Sequence, residues 1–154
     1  MKAINKYNLE KLVPEKYKKN FRLLKDFELI NWVEIDFLGW IHPSGHLGYL
    51  LEDLSGYHKL WIFTCNPKKS DHKKAQACPI CLSIHTGDNI GVKIFSRQHN
   101  TKKNVTIGQY FCGDLNCNYW VRKIKSNTMR EDLTIGEKRL RMLKNLKEKL
   151  KSFD

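Results

Sequence analysis

Two pairs of cysteines carry the chemistry that this sequence can do. The first is Cys78-Pro79-Ile80-Cys81, with two residues between the thiols, and the second is Cys112-Gly113-Asp114-Leu115-Asn116-Cys117, slightly wider. A short Cys-x-x-Cys turn presents two sulfurs from one side, and a second pair completes a tetrahedron of soft donors suited to zinc. Four thiolates leave no coordination position for water, so the expected role of the single Zn²⁺ is structural. A disulfide framework fits poorly, because five cysteines are an odd number and the opening residues MKAINKYNLEKL contain no apolar signal core. A redox Cys-x-x-Cys would follow a strand in a βαβ pattern and would need no second pair. Cys65, the fifth cysteine, lies in the apolar run Leu60-Trp61-Ile62-Phe63-Thr64 and reads as a buried strand thiol. His85, close behind the first pair, reads as a group supporting the ligands or lying at the surface.

The elements that must position these thiols follow from local pattern. Residues 90–96 and 104–111 read as a hairpin between the pairs. Asp114 is placed to cap a helix over Leu115 to Ile124 that carries Cys117 in its first turn. Knuckle, hairpin and ligand-bearing helix, in that order over residues 78–125, make a treble-clef zinc finger. Ahead of it, Trp32 to Cys65 reads as an antiparallel meander, with turns at His42-Pro43-Ser44-Gly45-His46 and Leu54-Ser55-Gly56. Trp32, Trp40 and Trp61 are expected in the core or on sheet faces. Residues 1–31 form an expected N-terminal helical segment, with Tyr17, Phe21, Leu23 and Leu24 toward the domain behind it and Pro14 in a first turn. Thr134-Ile135-Gly136-Glu137 fits a capping box opening a C-terminal helix whose apolar stripe would be Leu140, Leu143, Leu146 and Leu150. The fold class is therefore α+β, with a helical segment over 1–31 and one domain over 32–154 comprising meander, zinc finger and last helix.

The chain has 154 residues, with 28 lysines and arginines against 16 acidic residues and a net charge of +12. Four thiolates around Zn²⁺ would still leave about +10. Such a balance favours an anionic partner: RNA, DNA, a ribosome or an acidic protein face. The basic stretches 66–77 and 97–103 would be the phosphate contacts in a nucleic-acid reading. No run of the sequence is long and apolar enough for a membrane span, and the expected location is the cytoplasm. Catalysis finds little support: the His-x-Glu of zinc deaminases is missing, and His72, His85 and His99 are scattered without paired acidic ligands.

Longer stretches around the cysteines resemble a known family. Trp32-Val33-Glu34-Ile35-Asp36-Phe37-Leu38-Gly39-Trp40 and Cys78-Pro79-Ile80-Cys81-Leu82-Ser83-Ile84-His85-Thr86-Gly87 form one half of the likeness. The other half is Asn104-Val105-Thr106-Ile107-Gly108-Gln109-Tyr110-Phe111-Cys112-Gly113-Asp114-Leu115-Asn116-Cys117, with Tyr119, Val121 and Arg122, followed by Leu133 to Lys138. Together, from about Trp32 to about Leu150, they resemble the C-terminal treble-clef domain of the elongation factor G-binding proteins, the FusB-type fusidic acid resistance family. The resemblance implies a non-enzymatic protein that binds elongation factor G and promotes its departure from the ribosome. Cys78, Cys81, Cys112 and Cys117 carry over as the zinc ligands. Lys93, Phe95, Arg97 and Tyr119 are the candidate partner contacts that it suggests. Fusidic acid resistance, contact with rRNA and a monomeric state complete these expectations. Only residues 1–31 precede the resembling region, where longer resistance proteins carry a helical bundle.

Overall fold

The computed structural model describes residues 1–66, 75–85, 91–98, 105–122 and 133–153. Most of the two basic loops, with His72 and His99, and the expected link over 126–132 therefore lie outside the described residues, as do Thr86 to Asp88 and Ile124. The described residues build one five-stranded antiparallel sheet, a two-stranded ribbon and several helices. Strands β1 (Phe37–Ile41), β2 (Leu47–Asp53) and β3 (His58–Cys65) form the expected meander. The ribbon pairs β4 (Gln76–Ala77) with β5 (Ile84–His85) on either side of the first cysteine pair. The hairpin β6 (Val92–Gln98) and β7 (Thr106–Cys112) joins the main sheet through Thr64 opposite Ser96 and Cys65 opposite Phe95, giving the order β1-β2-β3-β6-β7.

Both faces of the meander are apolar, because side chains alternate across its strands and both sides are covered. One face presents Phe37, Leu50, Trp61, Phe63, Phe95 and Phe111 to the zinc-finger region and the last helix. The other presents Leu38, Trp40, Tyr49, Leu51, Leu60 and Ile62 to the N-terminal segment. That segment differs from the expected helix. It consists of α1 (Lys6–Lys11), α2 (Glu15–Lys18) and a 3-10 turn at Phe27–Leu29. Pro14 disfavours helical geometry at Val13 and so separates the first two. Pieces this short have no stability of their own. They are held by burying Leu9, Val13 and Phe27, and by the edge of Phe21 against Trp40 and Tyr49. Trp40 and Trp61 are buried, as expected, while Trp32 is half-buried against Phe27.

Two helices follow the hairpin. The first, α3 (Cys117–Val121), starts later than expected: Leu115 has φ 56°, which is left-handed and cannot open a helix. Asn116 occupies the N-cap position without a side-chain bond, and the Asp114 carboxylate instead accepts from the Asn116 N–H at 2.9 Å. The second, α4 (Ile135–Lys151), opens with the expected capping box between Thr134 and Glu137. Its buried stripe is Lys138, Met142, Leu146 and Leu150, with Leu143 half-buried and Leu140 70% exposed, so the helix is rotated from the Leu140-containing stripe. Polar anchors fix that rotation: Asn145 donates to the Ile80 carbonyl at 3.1 Å, and Arg139 donates to Asp36. A leucine count cannot see such anchors.

Asp36 is the junction between meander, α3 and α4. Its carboxylate receives Arg122 at 2.9 Å and two nitrogens of Arg139, while Asn118 accepts from its backbone N–H and donates to the Phe37 carbonyl. Burial pushes the Asp36 pKa up, but the hydrogen bonds from Arg139 and Arg122 and their positive charges outweigh it, and the value lies below the ordinary 3.8. A carboxylate with a depressed folded-state pKa contributes stability above its unfolded value, and that contribution is lost as pH falls through the folded value. Asp36→Asn should cost about 3 kcal/mol at pH 7, the low end for a buried ion pair because Arg139 stays partly in water. Urea denaturation of the two proteins, compared at matched zinc content, should show that gap closing below pH 3.8. A Cβ on Gly39 would lie 2.3 Å from the Leu115 carbonyl oxygen, so Gly39→Ala should destabilise by about 1–3 kcal/mol in the same assay.

Candidate metal centre

Two tight turns build the centre, the first closed between residues four apart and the second between residues three apart. In the first, the Leu82 N–H donates to the Cys78 carbonyl at 2.8 Å, Leu82 is left-handed at φ 59°, and the Cys78 N–H donates to the Ser83 carbonyl. In the second, the Leu115 N–H donates to the Cys112 carbonyl at 2.8 Å, with Leu115 left-handed. A left-handed non-glycine residue is uncommon and strained. Here it turns the chain directly after the first pair, at Leu82, and inside the second, at Leu115. The ribbon β4–β5 holds the first turn, and the first residues of α3 supply Cys117 to the second. Leu115 is buried where Gly39 and Gly48 leave room: a Cβ on Gly48 would meet Phe95 at 2.8 Å and Leu115 at 3.0 Å.

The four sulfurs converge in the interior, all within 4.8 Å of one another. Cys78 and Cys117 are 3.9 Å apart, Cys81 and Cys112 3.4 Å, and Cys112 and Cys117 3.5 Å. Sulfurs at tetrahedral corners around zinc, with Zn–S of about 2.3 Å, stand about 3.8 Å apart. A disulfide requires about 2.05 Å, so the observed spacing suits a shared cation and excludes the covalent alternative. The electrostatics agree. The neighbouring Cys112, Cys78 and Cys81 sulfurs push Cys117 well above the ordinary thiol range, whereas hydrogen bonds from Cys112, Cys117 and Cys81 lower Cys78. One thiolate is favoured and further ones repel, so a divalent cation is what permits all four to ionise. The donor set fits one structural zinc, with no side left open for a reacting water.

Cys65 stands apart from this cluster. Half-buried on β3, it donates its S–H to the Gly45 carbonyl at 3.0 Å, and burial raises its pKa, as expected of an inert strand thiol. His85 is buried beside the centre, with Nε2 3.2 Å from the Cys112 sulfur and its ring edge-on to Trp120.

The expected partner contacts fare differently. Phe95 is fully buried between Phe63 and Phe111, so it offers nothing to a partner. Lys93 and Arg97 flank it on the same strand face and are half-buried, with the Arg97 guanidinium 5.1 Å from the Trp61 ring centroid. Tyr119 is half-buried against Trp120. The exposed face of β6 and β7 is the opposite one, where Ile94 (47% exposed) and Tyr110 (52%) are cross-strand neighbours. Tyr110 also borders a shallow recess of about 400 Å³ with Gln76, Ala77, Pro79 and Val92, against the cysteine knuckle. Residue pattern alone assigns no inward face to this strand, since apolar residues occur at both parities of β6.

Comparison with known proteins decides the family. Residues 14–153 match the model of the FBP C-terminal treble-clef zinc-finger family. The chain belongs to that family. The FBP match carries the fold class and the single structural zinc expected from the cysteine spacing. Among solved structures, the fusidic acid resistance protein FusC is similar over the whole of this chain, with a TM-score of 0.63 and 20% identity. The present chain spans 60% of that protein's length, and the likeness concerns the fold. No curated protein gives a sequence match.

Elemental analysis of the purified chain should find about one zinc per molecule. Cys117→Ser should lose it on dialysis against a chelator, whereas Cys65→Ser should retain it, since that thiol is outside the cluster.

Proposed function

We propose that this FBP-family chain is a binding module that docks on elongation factor G and promotes its release from the ribosome without chemistry of its own. The observation that carries this reading is the uncovered strip on β6 and β7. There Ile94 and Tyr110 lie side by side next to the zinc knuckle, on a strand pair whose other face is locked into the core. Single exposed apolar residues are ordinary, but an aromatic and a branched aliphatic side chain paired across a rigid hairpin beside a recess form the kind of anchor that interfaces use. The net charge of +12 adds attraction toward an acidic partner and speeds encounter. Zinc holds the hairpin and knuckle in register, so the metal shapes the surface and takes no part in a reaction.

Release follows from thermodynamics. A module that binds the factor better off the ribosome than on it shifts the population toward the free state by its difference in affinity. Fusidic acid resistance would then be a consequence for a host in which the drug stalls the factor, and the place of action would be the cytoplasm. A second reading has its own support. Lys144, Lys147 and Lys151 are exposed on α4, and such a face suits rRNA phosphates.

Purified elongation factor G should be retained by the immobilised zinc-loaded chain at moderate salt with nuclease present. Tyr110→Ala should weaken that binding about tenfold or more, as expected for an aromatic anchor, and leave zinc content unchanged. Retention of RNA with no factor bound, abolished by Lys144→Ala/Lys147→Ala/Lys151→Ala, would overturn the leading reading in favour of the rRNA one.

A further inference from the structure

The zinc centre has a buried neighbour that its four ligands do not account for. His85 is 5% exposed, and its Nε2 lies 3.2 Å from the sulfur of Cys112, at hydrogen-bonding distance. It is outside the group of four mutually close sulfurs. We propose that His85 is a positioning residue of the metal centre, donating its Nε2–H to the zinc-bound Cys112 thiolate. The inference rests on the four cysteines holding zinc and is independent of which partner the module binds.

The direction of the hydrogen bond follows from the acceptor. A metal-bound thiolate has no proton to give, so the bond exists only if His85 carries a proton on Nε2. Cys112 is the sulfur with most need of a donor, since Cys81 and Cys117 crowd it at 3.4 and 3.5 Å. Four thiolates around Zn²⁺ leave two net negative charges in a buried site, and an N–H aimed at one of them stabilises that charge where water does not reach.

The ring is held for this task from two sides. Pairing of His85 with Gln76 in the ribbon fixes its backbone. Trp120 meets the imidazole edge-on, with ring centroids 4.8 Å apart, and the Trp120 Nε1–H is itself held by the Asp114 carboxylate at 3.1 Å. Asp114 lies between Cys112 and Cys117, so the second cysteine loop anchors the tryptophan that supports the histidine serving its own first thiolate.

Such a bond lowers the electron-donating power of the Cys112 sulfur, so its loss has a signature that loosened packing alone does not give. His85→Phe keeps a ring against Trp120 and removes the N–H; His85→Gln keeps an amide N–H at similar reach. In the cobalt-substituted full chain, His85→Phe should move the sulfur-to-metal charge-transfer band to longer wavelength. In the zinc form it should release metal to a chromogenic chelator about tenfold faster, at the lower end of what loss of an outer partner costs. N-ethylmaleimide should modify Cys112 ahead of the other three cysteines, as read by peptide mass spectrometry. His85→Gln should return all three readouts toward the parent. Unchanged spectra and release rates in His85→Phe, or no rescue by His85→Gln, would overturn the proposal. If His85→Phe fails to fold, the parent still decides. Its ¹⁵N-labelled zinc form should show an imidazole proton on Nε2 of His85 protected from exchange, and a proton on Nδ1 instead would refute the assignment.

Discussion

Four buried sulfurs within 4.8 Å of one another are a repulsive arrangement unless a cation sits among them, and the rest of this domain is organised to keep them there. A leucine in the left-handed region follows the first cysteine pair and another lies inside the second, a strained conformation that the surrounding structure has to over-determine. For Leu115 the compensation is visible, since two strand glycines, Gly39 and Gly48, open the space that its buried side chain and carbonyl occupy. The metal centre and the meander are thus packed as one unit, although the meander supplies no ligand.

A second set of interactions ties the helices to that unit. Asp36, immediately before β1, gathers guanidinium groups from the C-cap of α3 and from α4, and Asn118 bonds the Asp36 N–H and the Phe37 carbonyl. Charges buried in this way are costly singly and acceptable together, which makes the cluster a specifying device as much as a stabilising one. The phenyl ring of Phe153, just beyond α4, closes the core against Trp61 and Phe63. Among the described residues, both faces of the meander are covered, one by the zinc finger and α4, the other by the N-terminal segment. The outer face of β6 and β7 at Ile94 and Tyr110 is left open. This distribution leaves the outer face of β6 and β7 exposed beside the first cysteine turn.

The same physics explains why some features were legible before any coordinates and others were not. Cysteine spacing, the apolar strands of the meander and the Thr134/Glu137 capping box are local signals. Each depends on a few consecutive residues, and each appears in the structure as the pattern implies. Registers and rotations are different. Phe95 looked available and is buried, because a strand's faces differ by one residue and only its packing partners say which parity points inward. Leu140 looked buried and is exposed, because Arg139 and Asn145 set the rotation of α4 through partners more than sixty residues away.

The sequence by itself determined that a zinc-type cluster would form, that an antiparallel meander would precede it, and that the chain would be strongly basic. These follow from residue identity and spacing along the chain. Tertiary structure alone decided that His85 would reach Cys112, that Arg122 and Arg139 would share Asp36, and that Ile94 and Tyr110 would remain open. Those outcomes depend on which distant surfaces meet, and side-chain direction in a strand or helix is fixed by that meeting and not by local propensity.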